Sequence, residues 1–110
     1  MVTEFIRDAG GSIVSRRVLD GTSGLKWMFR EASVNPADNG WRFLSEADDD
    51  AYLADPANMV VADFNRVAEI EPAVIPIWNL PVGSDLQLVI TDGRRVIYDN
   101  ATGQPVALPR

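Results

Sequence analysis

Asp92-Gly93 constrains what this chain can fold into more than any other pair of residues. A two-residue β-turn of the favoured type needs positive φ at both central positions, and Asp-Gly supplies that cheaply. Leu86 to Thr91 precedes the pair and Arg94 to Tyr98 follows it. Closing the hairpin, residues 86–98, sets Leu88 opposite Ile97, on the same side as Leu86 and Ile90. A lone hairpin is marginal in water, so the rest of the chain must supply more strands or a helix to cover that apolar side.

A second period-two run supplies one. Leu25, Trp27 and Phe29 point to one side, and Lys26, Met28 and Arg30 to the other. Ser12 to Leu19, with Ile13-Val14 and Val18-Leu19, reads as a preceding strand, joined through the turn-rich Asp20-Gly21-Thr22-Ser23-Gly24. The two make a hairpin with one aromatic face. After a loop, Trp41-Arg42-Phe43-Leu44 reads as a third strand whose Trp41 and Phe43 join Trp27 and Phe29 in an aromatic cluster.

Ser45-Glu46-Ala47-Asp48 has the form of a capping box, which predicts a short helix over residues 46–54, stopping before Pro56. Met59-Val60-Val61-Ala62 suits a buried strand. Asp63 caps a second helix with Phe64, Val67 and Ala68 inward and Asn65, Arg66 and Glu69 outward. Ala73 to Pro81 reads as a short helical turn. Gln104 to Arg110 is bounded by prolines and prone to fray. The predicted class is α+β: an antiparallel sheet of hairpins with two or three short helices on one face. A chain of 110 residues, 46% apolar, fits a single domain, residues 1–110, with one core.

Two absences limit the chemistry. There is no cysteine, which removes disulfides and thiolate catalysis, and no histidine, which removes the usual base near neutral pH. Zinc sites built on Cys and His are excluded with them. No serine stands in a nucleophile elbow, and no glycine run matches a phosphate-binding loop. The chain reads as a non-enzyme without cofactor or metal. Its net charge of −6 argues against nucleic acid and anionic membranes as partners and for a basic protein. The N-terminus lacks a basic start and a long apolar stretch, so a cytoplasmic location is expected.

The acidic run is the most conspicuous candidate site. Glu46, Asp48, Asp49, Asp50 and Asp55, with Tyr52 and Trp41 nearby, are the candidate partner-binding residues. A calcium loop fits poorly, because the spaced oxygens and sharp glycine turn are missing. The plain alternative is that these acids complement a helix dipole.

Several pieces in order resemble a known family. They are Val14-Ser15-Arg16-Arg17-Val18-Leu19-Asp20-Gly21, Met28-Phe29-Arg30-Glu31 and Gly40-Trp41-Arg42-Phe43. Asp48-Asp49-Asp50-Ala51-Tyr52-Leu53, Asp55-Pro56-Ala57-Asn58, Ile75-Pro76 and Pro81-Val82-Gly83-Ser84 follow. The chain is similar over residues 13–84 to a small bacterial domain, long of unknown function, assigned as an immunity protein domain of polymorphic toxin systems. After Ser84 it departs, carrying a hairpin where members often have a polar, acidic tail. The resemblance implies a cytosolic protein that binds and neutralises a cognate toxin and has no catalytic residues. The alternative is a non-catalytic regulatory module that binds a small ligand in a pocket lined by Trp27, Trp41 or Trp78.

Overall fold

Strand-forming residues dominate the chain, and in the computed structural model, which describes residues 3–106, they gather into one six-stranded sheet. The strands are β1 (Gly11–Ser15), β2 (Leu25–Arg30), β3 (Asp38–Ser45), β4 (Met59–Asp63), β5 (Asp85–Thr91) and β6 (Arg94–Asp99). The helices are α1 (Arg16–Asp20), α2 (Asp50–Leu53) and α3 (Phe64–Ile70), with 3-10 turns at Pro56–Asn58 and Pro72–Ile77. The fold is α+β, as the sequence predicts.

The sheet order is β4-β1-β3-β2-β5-β6. Four of the five ladders are antiparallel, and β1–β3 is parallel. The β5–β6 hairpin closes at Asp92-Gly93, both with positive φ, and sets Leu88 opposite Ile97.

Other expectations need correction. The first strand ends at Ser15, and Arg16 begins a helix that stops at Gly21 in the left-handed region. β1 therefore does not pair with β2. It lies between β3 and β4. The helix expected over residues 46–54 shrinks to Asp50–Leu53. β4 is an edge strand rather than a buried one, and Val61 at its centre is 76% exposed. Asn65 is buried rather than outward: its side chain accepts from the Phe5 and Ile6 amides and donates to the Ile6 carbonyl, which ties down the N-terminal segment. Of the C-terminal segment, Gln104 and Val106 bond to β6, while residues 107–110 lie outside the described residues.

The core lies on one face of the sheet. Val14, Met28, Trp41 and Phe43 point there and meet Val18 of α1, Phe64 and Val67 of α3, and Val74 and Ile77 of the second 3-10 turn. Trp41 stacks on Phe43 at 6.1 Å, and Phe43 meets Phe64 at 5.8 Å. Each large apolar side chain so buried contributes roughly 1.5–3 kcal/mol. Met28 thus occupies the core side of β2, and Trp27 and Phe29 lie on the other face, opposite the expected orientation.

β3 bears the irregularity that makes this packing work. Its register against β1 slips between Gly11 and Ile13. Gly40 sits there with φ +87°, and a Cβ would stand 2.2 Å from the Glu31 carbonyl oxygen, so only glycine fits. Asn39 fills the bulge, accepting from the Trp41 amide and Ser12 hydroxyl and donating to the Ala9 carbonyl.

Candidate functional site

The acidic run leaves β3 at Ser45 and turns twice before β4. Asp48 does not face solvent. Its side chain is fully buried, and its carboxylate accepts from the Ser45 amide at 2.8 Å and the Ser45 hydroxyl at 2.6 Å. Arg17 adds a contact at 3.3 Å. Burial pushes the Asp48 pKa up, but the Ser45 hydrogen bonds, the nearby Ser15 hydroxyl and the Arg17 charge together hold it below the ordinary value. The Ser-x-x-Asp pattern therefore closes a turn before the helix instead of starting it.

Asp49 is the N-cap of α2 and accepts from the Tyr52 amide at 2.8 Å. Asp55 does the same for the 3-10 turn, accepting from Ala57 at 3.0 Å. Tyr52 lies under the Arg17 guanidinium, 3.7 Å from ring centroid to carbon. Glu46, Asp49, Asp50 and Asp55 are exposed, and none forms an ion pair among the described residues. The two nearby cations hydrogen-bond elsewhere: the half-buried Arg17 to Asp48 and the Ala47 carbonyl, and the exposed Arg16 to the Ala57 carbonyl. No three carboxylates among the described residues converge as metal ligands would.

Of the candidate partner-binding residues, two belong to the interior. Trp41 has no exposed surface and donates its indole N–H to the Trp78 carbonyl. With Asp48 buried as well, the surface set reduces to Glu46, Asp49, Asp50, Asp55 and the edge of Tyr52.

The helix-free face of the sheet carries features that sequence reasoning placed elsewhere. Cross-strand partners share a face. Trp27, Phe29, Leu44 and Tyr98 therefore lie together there, with Arg42 between Phe29 and Ile13. Arg42 is 3% exposed. Its Nε donates to Glu31 at 2.6 Å, and its two terminal nitrogens clasp the Asp38 carboxylate at 2.8 and 2.9 Å. The Arg42 hydrogen bonds hold the Asp38 carboxyl far below the usual range, and Asp38 in turn raises Arg42. An Arg flanked by Trp41 and Phe43 in a central strand is the signal that would have revealed this cluster. Beside it a cleft of about 180 Å³ is lined by Gly11, Ile13, Val34, Ala37, Asp38 and Val61. None of the three tryptophans lines it.

These features define a class: a small α+β domain whose surface presents acidic and apolar contacts. The model of the Imm33 immunity protein domain matches residues 12–97, and the chain belongs to that family. The match runs past Ser84 to Ile97, so it takes in the β5–β6 hairpin. Immunity proteins of this kind are generally non-catalytic and have a toxin as partner. No curated protein and no solved structure matches the chain.

Proposed function

We propose that this protein neutralises a cognate bacterial toxin of a polymorphic toxin system by binding it in the cytoplasm, and that the toxin surface it meets is basic. The contact is made by Glu46, Asp49, Asp50 and Asp55. What supports this is their exposure at one end of the sheet, where none of them forms an ion pair among the described residues, while Arg17 is engaged by Asp48 and Arg16 by the Ala57 carbonyl. Uncompensated carboxylates in a chain of charge −6 steer a basic partner and speed its association. Inhibition is by occupancy, with no chemical step.

The test is the quadruple variant E46Q/D49N/D50N/D55N, titrated against the product of the neighbouring toxin gene. Asn caps a helix about as well as Asp, so both caps survive. Affinity should fall at least tenfold, mostly through slower association, and its salt dependence should flatten. Unchanged affinity with unchanged salt dependence would remove the acidic end from the interface but leave immunity standing. Failure of the wild-type protein to bind that toxin would count against immunity towards it. A small-ligand role has weaker support: Trp41 is interior, and Trp78 donates its indole N–H to the Ala9 carbonyl.

A further inference from the structure

The segment between β3 and β4, residues 46–58, carries all four exposed carboxylates and has no apolar anchor. None of its side chains belongs to the core, α2 buries no residue, and neither does the 3-10 turn that follows. A segment without buried apolar contacts opens at low cost unless something else ties it down.

α1 supplies the tie. That helix is itself fixed, because Val18 is 1% exposed in the core. From the adjacent position Arg17 reaches the segment at three points. Its Nη1 donates to the Ala47 carbonyl at 2.8 Å and to the Asp48 carboxylate at 3.3 Å. Its guanidinium carbon stands 3.7 Å from the centroid of the Tyr52 ring, a cation–π contact. Asp20, another carboxylate that feels the Arg17 charge, accepts from the Thr22 amide and hydroxyl instead. The other ties lie at the two ends of the segment. The Glu46 amide donates to the Gly24 carbonyl, the Ala47 amide donates to the Ser23 hydroxyl, and Arg16 donates to the Ala57 carbonyl. Among the described hydrogen bonds and cation–π contacts, only the Arg17–Tyr52 stack joins α2 to an element outside the segment.

We propose that Arg17 is a positioning residue: a latch that holds α2 and the turn before it against α1, and so presets the geometry of Glu46, Asp49 and Asp50. Asp55 lies at the end that Arg16 holds. Unlatched, α2 opens while the sheet stays closed, and a partner has to order it on binding, which weakens affinity. The latch itself stands on contacts within the chain. Only its consequence for affinity rests on the toxin-binding reading.

The sign of the charge separates the two effects. Removing Arg17 leaves the chain one unit more negative than −6, which by itself speeds capture of a basic partner. Loss of positioning works the other way. Arg66→Ala makes the same charge change at an exposed position on α3 and serves as the reference. In Arg17→Ala, hydrogen exchange followed by NMR should be about tenfold faster or more at the Tyr52 and Leu53 amides, which bond to Asp49, while β1 and β3 amides keep their wild-type rates. Unchanged exchange at Tyr52 and Leu53 overturns the latch. So does a rise shared equally by β1 and β3, which marks a general structural role. Should Arg17→Ala fail to fold, Arg17→Lys keeps a charge beside Asp48 but loses the flat face over Tyr52, and the same comparison decides. Against the product of the neighbouring toxin gene, Arg17→Ala should bind about tenfold more weakly than Arg66→Ala. Equal affinity of the two variants overturns the positioning role. A wild-type chain that does not bind that toxin counts against the toxin-binding reading, and the exchange rates still decide the latch.

Discussion

Arg42 is buried within the sheet with its Nε on Glu31 and its other nitrogens on Asp38, itself only 8% exposed at the side chain. Removing one member of such a cluster leaves an uncompensated buried charge, which costs more than the intact pair contributes. Arg42→Ala should therefore destabilise the fold by about 3–5 kcal/mol in urea denaturation. A loss below about 1 kcal/mol would mean the pair behaves as an exposed one. Asp38 also sets a pH dependence. Its folded-state pKa lies well below that of an ordinary aspartate, so as pH falls the unfolded chain takes up the proton first. The stabilisation is complete above about pH 4–5 and is lost as pH falls through the folded value. Asp48 acts in the same direction. Acid titration of stability should show this loss, and Asp38→Asn should shrink the slope. At this scale the sequence was only partly legible. Arg42 and Asp48 look like surface charges because, although Trp41 and Phe43 flank the one and Ser45 lies three residues before the other, the partners Glu31 and Arg17 come from other elements.

Short elements here depend on single side chains. α2 has four residues and buries none of them, so the Asp49 cap has unusual weight. Asp49→Ala should lower stability by about 1 kcal/mol, while Asp50→Asn, which touches no backbone donor among the described contacts, should leave it unchanged within about 0.5 kcal/mol. Thermal melts of the two variants separate capping from surface charge. Equal effects would mean that α2 is not held by its cap. The Asp92-Gly93 hairpin and the Asp63 cap were legible because the information is local: turn chemistry and a cap act within four residues. Val18-Leu19 read as strand because a five-residue helix is too short to display its period. The run Leu25 to Arg30 shows two faces in sequence but cannot say which one the helices cover. Met28 lies inward because its cross-strand partner is Phe43, a fact fixed by distant residues.

Across the whole molecule, protection should follow sheet order. β1 and β3 are paired on both sides and lie over the packed helices. Their amides should be the slowest to exchange with solvent, and those near the Asp92-Gly93 turn the fastest within the sheet. Native-state hydrogen exchange would reject this centre of stability if the β5–β6 amides outlasted those of β1. The α+β class could be read from element types, but the strand order could not, since no local pattern announces a parallel pair between β1 and β3.

That order also has a timing. β1 is synthesised before both strands that flank it, the second of which ends at Asp63. Synthesis proceeds at about 5–20 residues per second, so the leading strand waits on the order of seconds for its neighbours. Under the proposed toxin-binding role this delay favours a standing supply: copies already folded can bind a toxin sooner than copies begun in response to it.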